Sequence, residues 1–349
     1  MTTYSLRILC VGNFGRKSAF RCFYNIDHKL ANGFIRNGHN VVCFSDRDHA
    51  REATVFGSQK LGKKKMAEKL LEIAKNYKPH LVLFGHCDLF GDELYLRMKE
   101  LLPDVRLATF CVDAVFRTKT MESFARRAAH CDAAFITTAD KAQLAKLGIP
   151  LDKLHFMPNP VDPSVETARV FDRPLDEFEW DGQFLGTGIG KREEQLNFIS
   201  SELPNDYRFR SGGRAFGSDR IEGMDFLECL TDAPVSPNLP LDDTDPSLMP
   251  YLYSSDRIAQ LLGQGVTTLV PKAAGLSDLY GEGVVEYASR EELVECMARL
   301  KTDDEMRRKI GQVGQQIARD ITGVEEVARY IVSQTLSPHE MKRQWFAGN

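Results

Sequence analysis

The sequence predicts an α/β protein of two domains, each a parallel sheet covered by helices on both faces, ending in a run of helices. Three observations point there. Short β-branched or aromatic runs alternate with longer amphipathic stretches, which is the pattern of repeated βαβ units. The alternation stops at a proline-rich segment and then restarts. The charge changes sign across the same segment: the 349 residues carry a formal net charge of −4, but residues 1–160 hold 25 Lys/Arg against 16 Asp/Glu and residues 161–349 hold 20 against 33. One half is therefore +9 and the other −13, as two domains with different electrostatic tasks would be.

In chain order, Leu6-Arg-Ile-Leu-Cys-Val reads as a first strand, Asn25 to Asn37 as a helix and Asn40-Val-Val-Cys-Phe-Ser as a second strand. A helix from Lys64 to Tyr77, a strand from Leu81, a helix from Asp92 to Leu102 and strands at Arg106, Ala133 and Leu154 complete the first sheet. Runs apolar on both faces imply a sheet covered on both sides. Pro158-Asn-Pro-Val-Asp-Pro163 excludes helix and inner strand, because proline fixes φ and lacks the N–H donor. The expected domains are residues 1–158, a linker at 159–180, a second domain at 181–335 and a helical tail at 336–349. Within the second domain, strands are expected from Gly182, at Tyr207–Arg210, at Ala233–Asn238 and at Val266–Val270, with helices at Arg192–Ser201, at Asp256–Leu262 and from Ser289 to Leu336.

The composition, 43% hydrophobic and 27% charged, is that of a water-soluble globular chain. The start lacks the basic flank and cleavage site of a signal peptide, and no apolar run approaches the ~20 residues of a spanning helix. Eight scattered cysteines, among them Cys10, Cys43 and Cys111 inside strand-like runs, read as reduced core thiols of a cytoplasmic protein. No pair has zinc-site spacing, so no metal is expected.

Two glycine loops follow first strands. Gly12-Asn-Phe-Gly-Arg-Lys-Ser18 fits neither standard nucleotide loop: Phe14 stands where a dinucleotide fingerprint needs glycine, and Arg16 where a P-loop needs glycine before its lysine. Its place at a strand's carboxyl end keeps Asn13 and Phe14 as candidates for ligand contact, although a plain strand-to-helix turn explains it as well. Leu185-Gly-Thr-Gly-Ile-Gly-Lys-Arg192 is the better phosphate cradle, since glycines let main-chain N–H groups approach an anion and a helix start adds partial positive charge. Gly188, Gly190, Lys191 and Arg192 are its candidates; the alternative is a tight turn with solvated cations.

Tyr251-Leu-Tyr-Ser-Ser-Asp-Arg-Ile-Ala-Gln-Leu-Leu-Gly-Gln-Gly265 reads as a capped helix with an inward stripe of Ile258, Leu261 and Leu262. A buried helix accounts for the stripe but not for the polar cluster at its start. Ser254, Ser255 and Arg257 could hold a diphosphate there, and Gln260, one turn on, could reach hydroxyls. Arg214 and Asn238 end other strands of this half and could frame a base. The acids of Asp242-Asp-Thr-Asp245 lie in a proline-rich loop and read as solvated. In the first half His86, Asp88 and Asp113 close strands, where an imidazole or carboxylate serves as a general base or caps the next helix.

With these residues in place, the chain resembles the two-Rossmann-domain glycosyltransferases of the GT-B fold, and within them the spore-coat CgeB-like group. The resemblance is carried by His155-Phe-Met-Pro-Asn-Pro-Val-Asp162, by Asp181-Gly-Gln-Phe-Leu-Gly-Thr-Gly188, by Tyr253 to Gly265 with the strand after it, by Val285-Glu-Tyr-Ala-Ser-Arg-Glu-Glu-Leu293 and by Asp303 to Ile317. It is strong over residues 180–320 and architectural over 1–150. It implies two Rossmann-like domains facing a cleft and metal-independent transfer of a sugar from a nucleotide-diphosphate sugar to an acceptor hydroxyl. The nucleotide-sugar is then a co-substrate and no cofactor is needed. The donor falls to the second domain, with Gly188, Gly190, Lys191, Arg192, Ser254, Ser255 and Arg257 on the diphosphate and Gln260 on the ribose. The acceptor falls to the first, with Asn13, Phe14 and Asp88 beside it and Asp113, or else His86, as the base.

Two positions depart from the family: Gln260 stands where a ribose-binding glutamate is usual, and Leu252 where retaining relatives carry an acid. A noncatalytic nucleotide-sugar binding protein is therefore the alternative. An NAD-dependent oxidoreductase, with Asp46 as the ribose acid, is a weaker one because the glycine fingerprint is missing. Nucleic acid is not an expected partner. An acceptor that is a glycan or lipid-linked, and contact with the inner face of a membrane through Lys63-Lys-Lys65 or Lys342-Arg-Gln-Trp-Phe346, are further expectations, weighed against a solvated helix face and a tail packed back on the protein.

Overall fold

The structure is a computed structural model, and it describes residues 5–187, 190–213, 215–239 and 249–336. These divide into two compact units. Unit 1 takes the residues up to Thr137, Lys141–Pro158 and the chain from Val324; unit 2 takes Thr138–Asp140 and Asn159–Gly323.

Unit 1 contains, in chain order, β1 (Arg7–Gly12), α1 (Ile26–Arg36), β2 (Asn40–Ser45), α2 (Asp46–Glu52), α3 (Gln59–Tyr77), β3 (Leu81–Phe84), α4 (Asp92–Leu101), β4 (Arg106–Cys111), α5 (Thr118–Ala129), β5 (Ala133–Ile136), α6 (Lys141–Ala145) and β6 (Leu154–Phe156). The strands form one parallel sheet in the order β2-β1-β3-β4-β5-β6. β3 and β5 are buried along their whole length, as their continuous apolar runs require. The order reverses between β1 and β3, so the carboxyl ends of these two strands open a crevice of the kind in which α/β sheets bind ligands.

Local chemistry sets the helix starts. The Asn25 side chain accepts the His28 N–H ahead of α1, and Ser58 accepts the Leu61 N–H, so α3 begins several residues before the expected Lys64. Cys43 is exposed on the edge strand β2 and is not a core thiol; all eight cysteines are unpaired, and Cys10 and Cys111 are buried.

Unit 2 contains β7 (Gly182–Leu185), α7 (Lys191–Glu202), β8 (Phe209–Gly212), α8 (Met224–Cys229), β9 (Val235–Pro237), α9 (Arg257–Gly263), β10 (Thr267–Pro271), α10 (Ser277–Tyr280), β11 (Val285–Tyr287), α11 (Arg290–Thr302) and α12 (Asp304–Ile321). The ladders are β7-β8 and β11-β10-β9, all parallel, and β7 lies beside β9. A second reversal therefore falls between β7 and β9. The expected strand at Tyr207–Arg210 sits two residues later, because Tyr207 turns into the core, where its hydroxyl lies 2.4 Å from the position a Cβ on Gly182 would take.

Residues 159–180 are part of unit 2 instead of a free linker: Val170 and Phe171 are buried, and the Ala168 N–H donates to Gln264 at 2.8 Å. The last described helix, α13 (Val324–Leu336), belongs to unit 1, not to the second domain as its position suggests. It packs on α1, where Gly33 leaves room for the Val324 carbonyl, 2.4 Å from a would-be Cβ, and Asn37 donates to the Glu325 carbonyl at 2.8 Å. Among the described residues no helix is long and apolar enough to cross a membrane.

Candidate functional site

In unit 2 the residues at the β7/β9 reversal converge on Arg257. This side chain is buried, with 7% of its surface exposed. Its Nε–H donates to the Leu185 carbonyl at the end of β7 at 2.9 Å, and its Nη1 reaches Asn238 Oδ1, just past β9, at 3.4 Å. The guanidinium lies 4.4 Å over the Phe184 ring. These partners are all neutral. Among the described residues no carboxylate is within ion-pair reach of Arg257, and burial pulls its pKa down to about 10 despite the neighbouring Asp256. A buried cation held by neutral oxygens and a π face is poised to gain from an arriving anion.

Around it, Ser255 donates its hydroxyl to Asn238 Oδ1 at 3.0 Å, and the Ser254 hydroxyl and carbonyl accept from Asn159 Nδ2 at 3.2 and 3.1 Å. Gly186 follows β7 without a side chain, and a Cβ there would stand 2.6 Å from Arg257 Nη2. Gly190 caps α7 with φ 56°, a backbone that glycine adopts freely. Arg192 is buried and ties the loop down: it donates to the Thr187 carbonyl at 2.8 Å and the Leu239 carbonyl at 2.9 Å and lies 5.3 Å from the centre of the Phe184 ring. Lys191, beside it, is exposed. Arg192, Asn238, Ser254 and Ser255 line a common recess with Met249 and Tyr253, and among its described lining residues none is acidic. Unit 2 belongs to the acidic half of the chain, so this cationic recess is local.

Gln260 is buried one turn beyond Arg257 on α9 and is not among the residues lining the recess. Leu252 is buried with φ 55°. Gly188, Arg214, the Asp242–Asp245 acids and Lys342–Phe346 lie outside the described residues. The Phe184 platform was not anticipated, since an aromatic inside a strand reads as core.

In unit 1 the expected residues separate into two groups. His86 and Asp113, after β3 and β4, come together: Nδ1 of His86 is 3.6 Å from Asp113 Oδ2, and the other carboxylate oxygen accepts from Arg117 at 2.9 Å. Burial lowers the His86 pKa, partly offset by Asp113, so the imidazole is neutral near pH 7. Cys111 joins them at metal-ligand spacing, all ligand atoms lying within 4.8 Å of one another. The fit to a metal is poor, because Asp113 is already engaged by Arg117 and burial raises the Cys111 thiol to about 12. Asp88 is held by Ser123 and by the buried Arg127, at 2.9 and 3.0 Å.

Asn13 and Phe14 sit at the β1/β3 crevice. Phe14 is buried, its N–H donating to Ser45 and its ring edge-on to His28, so it supports the loop more than it faces a ligand. The residue that the sequence did not bring forward is Asp27. Its carboxylate lies between the two strand ends, 2.1 Å from a would-be Cβ on Gly12 and 2.4 Å from one on Gly85, and accepts the Asn13 N–H at 3.2 Å. Burial raises its pKa to about 7, and Asp46 adds to the rise. Asp46 itself, offered by the sequence as a ribose acid, is fully buried and shifted by burial to about 6.

Residues 192–332 match the family model described as glycosyl transferase-like. No curated protein matches the chain by sequence. Among solved structures, sucrose-phosphate synthase from Thermosynechococcus elongatus is similar with a TM-score of 0.65 at 12% identity, over 93% of this chain and 97% of that one. HepE from Anabaena, solved with UDP and glucose, is similar with a TM-score of 0.58 at 13% identity, over 95% and 100%. A glycosyltransferase from Rickettsia africae is similar with a TM-score of 0.59 at 11% identity, over 96% and 100%. The fold of the chain is that of the GT-B glycosyltransferases, two Rossmann-like α/β units.

Proposed function

We propose that the protein is a glycosyltransferase that moves a sugar from a nucleotide-diphosphate sugar to an acceptor hydroxyl, and that within the GT-B enzymes it belongs to the CgeB-like group. The observation that carries the reading is Arg257, a buried guanidinium without a carboxylate at the β7/β9 reversal, where open α/β sheets take ligands. The glycosyl transferase-like match over residues 192–332 and the UDP-glucose held by HepE supply the class of anion.

In this reading the acceptor oxygen attacks the anomeric carbon and the bond from that carbon to the diphosphate breaks. The nucleoside diphosphate leaves with the electron pair, and the acceptor proton passes to a base. Arg257, Lys191 and the main-chain N–H groups of the Gly186–Gly190 loop meet the charge that develops on the leaving group, a role fixed cations and dipoles fill without a metal ion. Arg192 shapes the loop. Ser254, Ser255 and Asn238 orient the donor, and Gln260 reaches its ribose once the recess is filled. No resident cofactor is required. His86, kept neutral by burial and oriented by Asp113, is the base in unit 1, with Asn13 and Asp88 on the acceptor side; Asp113 is the better orienting group because Arg117 already engages it.

A panel of nucleotide-sugars tested for nucleoside-diphosphate release, with and without acceptors, tests the proposal. Tight binding without release would instead establish a noncatalytic binding protein, the reading that Leu252 favours by placing an apolar side chain where retaining relatives carry an acid. Stabilisation by NAD alone would overturn both.

A further inference from the structure

Unit 1 carries an exposed feature that sugar transfer does not use. Between α2 and α3 the chain makes a turn at Thr54–Ser58, closed by its own hydrogen bonds: Ser58 N–H donates to Thr54 Oγ1 at 2.8 Å, and Gly57 N–H to the Thr54 carbonyl at 3.2 Å. At its tip Val55 and Phe56 are 97% and 91% exposed. The base of the hairpin is fixed, because Gly62 on α3 lets the Ala50 carbonyl of α2 approach to 1.8 Å from a would-be Cβ. Leu61 on the first turn of α3 and Phe20 in the loop after β1 are 73% and 51% exposed. An ordered turn that holds apolar side chains in water marks an interaction surface more than a chance exposure does.

The surroundings are basic. Residues 15–21 and 47–65 together hold nine Lys/Arg and two Asp/Glu. The two segments meet, since Lys17 and Arg21 line one open recess with Arg51 and Val55. Lys60, Lys63, Lys64 and Lys65 are exposed on the first turns of α3. Of the two acids, Asp48 is buried and paired with Arg51, leaving Glu52 beside Lys17.

We propose that this face of unit 1, the Arg51–Lys65 hairpin with the Arg16–Arg21 loop, docks on an anionic lipid bilayer. Val55 and Phe56 enter the boundary between headgroups and acyl chains, and the lysines and arginines lie over the anionic headgroups. A second copy of the same face is disfavoured by like charge, and an aliphatic pair at the tip suits acyl chains better than nucleic acid bases.

The full chain, sedimented with vesicles of phosphatidylcholine containing about one third phosphatidylglycerol, should partition to them, should not do so to phosphatidylcholine alone, and should be released at about 0.5 M salt. Val55→Ser with Phe56→Ser, and separately Lys63→Ala with Lys64→Ala and Lys65→Ala, should each lower partitioning about tenfold with unchanged melting temperature and nucleotide-sugar binding. In Phe56→Trp the emission should shift to the blue on vesicles and be quenched by brominated lipid. Absence of partitioning by the wild type, partitioning indifferent to Val55 and Phe56, or a tryptophan unshifted on bound vesicles would overturn the proposal. So would binding to single-stranded nucleic acid without binding to vesicles, or a dimer that the Val55/Phe56 variant dissolves. Donor binding is read separately, so failure here leaves the transferase reading standing.

Discussion

The Arg257 guanidinium lies 4.4 Å over the Phe184 ring while its Nε–H donates to the neighbouring Leu185 carbonyl. One strand end thus supplies both a π face and an acceptor to a buried cation, which fixes the guanidinium at the mouth of β7. Replacing it should be felt first by an anion. Arg257→Ala should weaken binding of a nucleoside diphosphate by about 1.5–3 kcal/mol, the scale of a hydrogen bond to a charged group. Titration calorimetry reads the loss, and unchanged affinity would remove Arg257 from the site.

Gly186→Ala gives an independent approach to the same contact. Its Cβ would stand 2.6 Å from Arg257 Nη2 and 3.1 Å from Phe184 Cζ, so the guanidinium has to move. The expected result is a loss of nucleotide affinity approaching that of Arg257→Ala, without the loss of charge. Combined in one protein, the two substitutions should cost much less than their sum, because both act through one cation.

Arg192 is a different case although it shares the Phe184 ring. It bridges the Thr187 and Leu239 carbonyls, and its removal leaves acceptors without a donor inside unit 2. Arg192→Ala should therefore lower stability by about 2–4 kcal/mol, measured by denaturant unfolding, before any change in binding is considered. Stability equal to wild type would show that the tether is dispensable.

Much of this site was readable. The glycine loop and the Ser254-Ser255-Asp256-Arg257 helix start announce themselves because strained turns and helix caps use few residue types, and the strands do so because burial on both faces leaves continuous apolar runs. What could not be read is what depends on a distant partner. An arginine in a polar stretch reads as solvated until Phe184 and Leu185 are seen beneath it. Asp27 reads as an ordinary first-turn acid of α1 until Gly12 and Gly85 are seen to make room for it. The amphipathic α13 shows that it needs a partner, but only the gap at Gly33 and the Asn37 hydrogen bond show that the partner is α1.

Asp27 gives a prediction for pH. Its pKa is raised to about 7 by burial and by Asp46, so between the unfolded value near 4 and about 7 the folded chain binds a proton that the unfolded chain has released. The stability it contributes is complete below pH ~4, declines as pH rises to about 7 and is level above that. Asp27→Asn, which cannot ionise, should remove part of that decline, gaining about 2–4 kcal/mol relative to wild type between pH 4 and 8. Asp46, shifted to about 6, keeps a residual slope in the variant. Urea unfolding across this range decides the matter; identical slopes for both proteins would mean that Asp27 is ionised throughout.

The His86–Asp113 pair predicts how turnover depends on pH. A base must be unprotonated to accept the acceptor's proton, so turnover should fall on the acid side as His86 protonates, at a pH below the usual histidine value because burial disfavours the imidazolium. His86→Asn should remove that acid limb together with a factor of about 10²–10⁴ in kcat, leaving donor affinity intact. Asp113→Asn takes away the carboxylate that partly restores the imidazolium, and it removes the group 3.6 Å from Nδ1 that orients the ring. It should therefore lower kcat by a smaller factor and move the acid limb to still lower pH. The direction of that movement separates the two possible bases: if Asp113 were itself the proton acceptor, Asp113→Asn would abolish the limb instead of displacing it.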